Sequence, residues 1–334
     1  MATLVEKELA RQPYFDLNDL TQRVIVTYLA GPKLDRIVTV QASYVDICNK
    51  PNVRGTVVSL SGSPGSHNDV KYMREVFEKH NIRLVCTNWP GSEFVTGGLS
   101  DSYTNPERNS YMKALLEKLE LKKVDKLVIM GHSRSGESAL QIADMLSDDP
   151  SWPLVGVMVL NSPGFVPHRG LKSNMALVNF LAFLIKLRWR VVDFVLFPVL
   201  DWFYNDVVGL RVADGKVSAA AILPMQTFAF GEQKVSIDGL KRKPWIRTFY
   251  AYGSKDFLIA ESDSEEMAKY FKGDHFVVKN KDDAHKTLPK VWSTYQDCRP
   301  AVTINFTEEG HYLQKTYPDF LVQVLGGILD IEIV

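Results

Sequence analysis

A short apolar strand that runs directly into a turn of small residues constrains this chain more than any other feature. Residues 126–130 (KLVIM) form the apolar run, residues 131–136 (GHSRSG) follow at once, and a helix-like segment comes next. A sharp strand-to-helix turn forces its central residue into strained backbone angles and needs small residues two positions before and after it. Gly131 and Ser135 meet that need, so the pattern predicts that the hydroxyl of Ser133 projects from the turn.

A projecting hydroxyl on a rigid turn is what a nucleophilic serine requires. The structural alternative is an ordinary turn in which Ser133 only caps the following helix. A glycine-x-serine-x-small pattern is weak by itself, because glycine and serine are common residues. Its position between a buried strand and a helix favours the nucleophile.

Apolar runs rich in β-branched residues alternate with helix-like segments along most of the chain. This alternation indicates βαβ units, and it predicts an α/β fold with a mostly parallel central sheet and helices on both faces. The predicted strands cover residues 23–29, 37–45, 55–60, 83–87, 126–130, 155–160, 247–252 and 301–306. Predicted helices begin after Asn68 or Asp69 and cover residues 109–121, 137–143 and 312–325.

The alternation stops after Pro163 and returns near residue 244. The sequence therefore predicts a core in two parts, residues 1–163 and 244–334, with an inserted helical cap at residues 164–243. Residues 175–204 of the cap are strongly apolar, but charged residues interrupt them, and no stretch reaches the roughly 20 apolar residues of a membrane-spanning helix. Three roles stay open for this segment: a lid over an apolar pocket, peripheral contact with a membrane, or a buried structural element.

Composition argues against several other classes of protein. Lys plus Arg and Asp plus Glu both number 39, so no basic excess points to nucleic acid as a partner. Cys48, Cys86 and Cys298 are too few and too scattered for a disulfide framework or a zinc site. The N-terminal residues are charged early and lack the apolar core of a signal peptide, which predicts an intracellular, cytoplasmic location.

A serine that attacks a carbonyl also needs two hydrogen-bond donors for the developing oxyanion, and fixed backbone amides serve best. The amide of Arg134, directly after Ser133, is the first candidate. The second is the amide of Ser63, in the loop at residues 61–65 (SGSPG) that follows a predicted strand. A plain turn is the structural alternative for this loop, because Ser, Gly and Pro also favour turns.

Enzymes with this kind of serine turn carry an acid and then a histidine later in the chain. Asp256 follows the predicted strand at residues 247–252 and is the best candidate for the acid, with Asp263 in reserve. His311 follows the last predicted strand, after Gly310, and is the best candidate for the base. Among the other histidines, His285 is the main rival.

These motifs together resemble the α/β-hydrolase superfamily of the serine hydrolase type. The resemblance rests on residues 131–136 (GHSRSG), 62–65 (GSPG), 253–256 (GSKD) and 310–311 (GH), in that order, and it covers nearly the whole chain outside the cap. Among subfamilies, it looks closest to a group of uncharacterised members known mainly from nematodes. Ser61 replaces a frequent histidine, Ser135 replaces a glycine, and an insertion around residues 279–299 lengthens the interval from Asp256 to His311.

The resemblance implies hydrolysis of a small-molecule or lipid-like carboxylic ester through an acyl-enzyme on Ser133, with no metal or organic cofactor. Epoxide hydrolases and haloalkane dehalogenases of this fold use an aspartate nucleophile, so Ser133 argues against both. Acyl transfer and carbon–carbon bond hydrolysis use the same residues and stay open. A non-catalytic ligand-binding or interaction protein that keeps the fold is the alternative from a different class.

Overall fold

The computed structural model describes residues 16–96, 102–172, 174–208, 212 and 214–331. Within these ranges, nine strands form one sheet. The strands are β1 (Thr21–Ala30), β2 (Arg36–Ile47), β3 (Thr56–Leu60), β4 (Arg83–Thr87), β5 (Leu127–His132), β6 (Leu154–Leu160), β7 (Arg247–Gly253), β8 (Asp274–Val278) and β9 (Ala301–Phe306).

The sheet has the strand order β1-β2-β4-β3-β5-β6-β7-β9-β8. β2 pairs antiparallel with β1 and β4, and the remaining pairs are parallel. This arrangement confirms the predicted mostly parallel sheet. The predicted strands all correspond to observed ones, and β8 is the strand that sequence reasoning missed. β8 lies at the sheet edge, is only partly buried and begins with polar Asp274 and His275, so its apolar run is only three residues long.

Helices cover both faces of the sheet, and central strands such as β3 and β5 are therefore buried on both sides. One face packs against α2 (Asn105–Lys118) and α3 (Arg134–Ser147). The other packs against α1 (Arg74–Lys79), α10 (Lys281–Gln296) and α12 (Pro318–Leu329). α10 occupies most of the segment in which the sequence implied an insertion.

Two observed helices differ from their predicted bounds for reasons connected with proline. α2 begins at Asn105 rather than at residue 109, with Pro106 in the first turn, where proline is well tolerated. The predicted helix at 312–325 is broken into α11 (Leu313–Thr316) and α12, which starts at Pro318, because the residue before a proline disfavours the helical conformation and Tyr317 has φ of −129° and ψ of +46°.

The chain between β6 and β7 is helical. Its elements are α4 (Arg169–Lys172), α5 (Met175–Leu187), α6 (Arg190–Trp202), a π-helical stretch (Phe203–Val208), α7 (Gly215–Gln226) and α8 (Glu232–Lys241). α5, α6 and α7 share a separate apolar cluster, whereas α8 packs against α3 within the main core. We therefore propose a cap narrower than residues 164–243, which ends before α8.

Candidate active site

The turn between β5 and α3 holds Ser133 in a strained conformation, with φ of +53° and ψ of −127°. A β-carbon on Gly131 would lie 2.3 Å from the carbonyl oxygen of Ser135, and one on Gly136 would lie 2.3 Å from Oγ of Ser162. Larger residues at these positions would therefore collide with the turn or with the neighbouring strand end. Ser133 itself stays half-buried, so a substrate can reach its hydroxyl.

The structure brings Ser133, His311 and Asp256 into one chain of contacts. Nε2 of His311 lies 2.9 Å from Oγ of Ser133, and Nδ1 lies 2.6 Å from Oδ2 of Asp256. A carboxylate only accepts, so Nδ1–H donates to Asp256 and leaves Nε2 free to accept from the serine. Asp263 instead lies in the first turn of α9 (Glu261–Phe271), and His285 is exposed on α10.

The carboxylate of Asp256 is held by four hydrogen bonds. Oδ1 accepts from the amides of Leu258 and Ile259 at 2.8 and 3.0 Å, and Oδ2 accepts from Nδ2 of Asn161 at 3.0 Å as well as from His311. Burial raises the pKa of this carboxyl, but these hydrogen bonds favour the charged form and the net effect is a lowered pKa. Asp256 is therefore ionised at neutral pH and fixes the orientation of the imidazole.

His311 is buried, and burial lowers its pKa by more than the hydrogen bond to Asp256 raises it. The imidazole is therefore neutral at neutral pH and can accept a proton. His132, next to the nucleophile candidate, donates from Nε2 to the backbone carbonyl of His311 at 2.9 Å. His132 thus positions the loop that carries His311, a role that sequence reasoning did not assign to it.

The predicted oxyanion loop lies against the serine turn. A β-carbon on Gly62 would come within 3.3 Å of Cβ of Ser133, and the Gly62 amide already donates to Oδ2 of Asp69 at 3.0 Å. The next amide along the loop is that of Ser63. On the other side, Arg134 is the first residue of α3, so its amide has no acceptor within the helix. The arrangement leaves both predicted amides as candidate oxyanion donors.

Ser135, where the family pattern has glycine, contacts the backbone of the oxyanion loop. Oγ of Ser135 donates to the carbonyl oxygen of Ser61, and it accepts from Nε1 of Trp89 at 3.0 Å and from the guanidinium of Arg108 at 3.4 Å. Arg108 is buried and stacks 3.8 Å over the Trp89 ring. The extra hydroxyl therefore ties the serine turn to the start of the oxyanion loop. The signal for this contact in the sequence was the serine at position 135 in place of glycine.

A buried ion pair within α3 contacts the end of α7 and the residues that follow it. The guanidinium of Arg134 pairs with Glu137, and both side chains are fully buried. Nε of Arg134 also donates to the carbonyl of Pro224 in α7 at 2.9 Å, and Glu137 accepts from the amide of Ala229 at 2.9 Å. These contacts fix the end of α7 beside Ser133.

α7 also covers the oxyanion loop, since Oγ of Ser63 donates to the carbonyl of Ala221 at 3.3 Å. A cavity of about 40 Å³ lies between this helix and the loop, and Arg108, Trp89 and Pro224 contribute to its wall. The helix therefore forms one side of the space next to the candidate oxyanion donors.

A mostly parallel sheet, with a strained serine turn after a central strand and the acid and histidine after later strands, defines an α/β-hydrolase fold. A family profile described as "Alpha/beta hydrolase of unknown function (DUF1057)" matches residues 20–330. The chain belongs to this family, which confirms the predicted resemblance.

Among similar proteins, "Uncharacterized protein F35H12.5" of Caenorhabditis elegans is 58% identical over 320 residues, which cover 96% of this chain and 90% of that protein. A thermophilic esterase from Thermogutta terrifontis aligns with a TM-score of 0.58 at 18% identity over 92% of this chain and 98% of its own. An epoxide hydrolase from metagenomes of hot environments aligns with a TM-score of 0.56 at 13% identity over 92% and 98%. At these identities the solved structures show the fold alone.

Proposed function

We propose that this protein is a serine hydrolase that cleaves carboxylic esters with apolar acyl groups through an acyl-enzyme on Ser133. The observation that carries the proposal is the continuous contact from Asp256 through a buried, neutral His311 to the half-buried hydroxyl of Ser133. This geometry suits removal of the serine proton by imidazole, whereas a helix-capping serine would need no such partner.

In the first half of the reaction, Oγ of Ser133 attacks the carbonyl carbon of the ester and its proton passes to Nε2 of His311. Asp256 stabilises the imidazolium, and the amides of Ser63 and Arg134 donate to the oxyanion. The tetrahedral intermediate then breaks its bond to the alcohol oxygen, which takes the proton from His311.

In the second half, a water molecule attacks the acyl carbon and gives its proton to His311. The bond from the acyl carbon to Oγ of Ser133 breaks, and His311 returns the proton to Oγ. The net reaction consumes one ester and one water and yields one alcohol and one carboxylic acid. Each step uses only groups that the Ser133 site already provides.

The decisive experiment is labelling with a fluorophosphonate probe, which reacts with activated serines. We expect the native protein and the control Ser147→Ala, at the far end of the same helix, to be labelled. Ser133→Ala should not be labelled, and its hydrolysis of an activated ester should fall by about a thousandfold or more. An unlabelled native protein, or undiminished turnover by a folded Ser133→Ala variant, would contradict the proposal.

Labelling alone does not distinguish hydrolysis, in which water accepts the acyl group, from transfer of the acyl group to another acceptor. Hydrolysis predicts that added alcohols leave the yield of free carboxylic acid largely unchanged. A yield that shifts to a new ester would instead indicate an acyltransferase using the same serine.

A further inference from the structure

The helical hairpin formed by α5 and α6 exposes a large apolar face to solvent. Ten of the twenty large hydrophobic side chains exposed in the described ranges lie between residues 177 and 203, and exposure reaches 82% at Phe194. We call this set the exposed apolar face. Its members are Leu177, Phe180, Phe183, Trp189, Val191, Phe194, Val195, Val199, Trp202 and Phe203.

This face is separate from the side of the hairpin that packs on the protein. Ala182 and Ile185 of α5 and Leu196 and Leu200 of α6 are buried in a cluster shared with α7. A surface helix of a globular protein normally has one apolar side and one polar side. In α6, the positions Val191, Phe194, Val195, Val199 and Trp202 follow helical spacing and form a second apolar stripe.

The exposed area exceeds what a monomeric soluble protein normally leaves uncovered. The six aromatic side chains of the face are between 39% and 82% exposed. With about 150–250 Å² per aromatic side chain, they alone expose on the order of 500–900 Å². The largest apolar patch on a typical monomer is about 300–600 Å², and patches of this size mark an interaction surface.

The charges around the face favour a lipid surface with anionic headgroups as the occupant. Lys186, Arg188 and Arg190 are exposed at the turn of the hairpin, next to Trp189. Basic residues beside inserted apolar side chains are attracted to anionic lipids, and tryptophan prefers the boundary between headgroups and hydrocarbon. Three acidic residues also lie on this segment: Asp193 is only partly exposed and lies by helical spacing on the side away from the apolar stripe, and Asp201 and Asp206 lie towards the other end, away from the basic turn.

A second copy of this chain fits the face less well. A two-fold dimer through the hairpin would bring each patch against its own copy, and a parallel arrangement of the hairpins would place the two basic turns together, where they repel each other. A bilayer surface instead takes both the apolar stripe and the positive charges. No helix in the described ranges is long and apolar enough to span a membrane.

We propose that the α5–α6 hairpin docks on anionic lipid bilayers by inserting its exposed apolar face. Docking would place the helices that lie over the Ser133 site at the lipid surface, because α7 contacts both the hairpin and the Ser63 loop. Resting on the proposed esterase function, this placement further assigns the substrate to esters that reside in a membrane. The docking step itself does not depend on the chemistry at Ser133.

The docking proposal is tested by flotation of the full-length protein with vesicles of phosphatidylcholine alone or with about 30% phosphatidylserine. We expect binding to both, and tighter binding to the anionic vesicles. The double variant Phe183→Ser/Phe194→Ser should bind at least tenfold more weakly to both. The matched control Val235→Ser/Trp245→Ser, with two comparably exposed residues outside the face, should bind like the native protein.

The contribution of the basic residues to binding is measured with Lys186→Gln/Arg190→Gln. The affinity of this variant for anionic vesicles should fall about fivefold per charge removed, and its affinity for neutral vesicles should change little. Ser133→Ala should bind vesicles normally, which separates failure of docking from failure of the hydrolase proposal. Native protein that floats with neither vesicle, or a hairpin variant that binds as tightly as the control, would overturn the inference. So would a stable dimer in analytical ultracentrifugation that the hairpin variant alone loses, since the face would then pair two chains.

Discussion

Single residues around Ser133 make the pH dependence of the proposed reaction predictable. Burial lowers the pKa of His311, and only neutral imidazole accepts the serine proton. The kcat/KM for an activated ester should therefore fall as the pH drops through a value below the ordinary histidine pKa of about 6.5, and it should be flat from about pH 7 to 8.

The matched variants assign that acid limb to one histidine. His285→Gln should keep the pH profile of kcat/KM, because His285 is exposed on α10. His311→Gln should lose both the fall in kcat/KM at low pH and most of the activity. Burial, with a smaller contribution from the nearby His311, lowers the pKa of His168 to about 4, so His168 titrates at a lower pH than this limb. An acid limb with its midpoint above pH 7 would contradict the assignment to a buried His311.

Ser135 offers a second residue-level prediction. Ser135→Ala removes the hydroxyl that bonds Ser61, Trp89 and Arg108, and it leaves the buried Arg108 without that acceptor. Loss of a buried hydrogen-bond partner costs about 1–3 kcal/mol, so the free energy of unfolding in urea should drop by this amount. Ser151→Ala, at an exposed serine, should leave it nearly unchanged. Equal stability of the two variants would mean that the Ser135 hydroxyl is not a structural link.

Among the helices, the buried pair Arg134–Glu137 connects α3 with α7. Glu137→Gln would leave the fully buried Arg134 without its countercharge, which typically costs about 3–5 kcal/mol. Urea denaturation should show this loss, and limited proteolysis should cut the segment around α7 faster. The exposed pair Lys123–Glu120 supplies the control, and Glu120→Gln should change neither readout. Unchanged proteolysis in Glu137→Gln would show that the pair does not hold α7.

Local pattern was sufficient for most strands but for fewer of the helices, since α9 and α10 were not predicted as helices. β8 escaped prediction because an edge strand is paired on one side only and can carry polar residues such as His275. The packing of α8 against α3 was not predicted, because the apolar stripe of α8 would be the same if the helix packed within a cap. In both cases the deciding contact is with an element distant in the chain.

For the molecule as a whole, docking predicts a difference between dissolved and membrane-bound substrates. The measured quantity is the rate of hydrolysis of an ester embedded in anionic vesicles, divided by the rate for a dissolved short-chain ester with the same head group. This ratio should be at least tenfold lower for Phe183→Ser/Phe194→Ser than for the native protein. The physical reason is that Phe183 and Phe194 face solvent rather than the space next to Ser133. A uniform change in both rates would indicate that these phenylalanines act on the active site instead.

Local sequence patterns were enough to predict the parallel sheet, the serine turn and the candidates Ser133, Asp256 and His311. These features depend on local chemistry: apolar runs make buried strands, small residues permit the turn at Gly131, and polar side chains stand at strand ends. Order along the chain then placed the acid and the histidine at the same edge of the sheet.

How those candidates meet, and what surrounds them, depends on contacts between elements of the folded chain. The 2.6 and 2.9 Å contacts of His311, the link from Ser135 to Ser61 and the burial of Arg134 with Glu137 join segments far apart in sequence. The exposed apolar face also depends on the tertiary structure, since the sequence of a helix does not distinguish apolar residues that are buried from those that are open to solvent. Burial is a property of packing between elements, and a run of residues does not contain it.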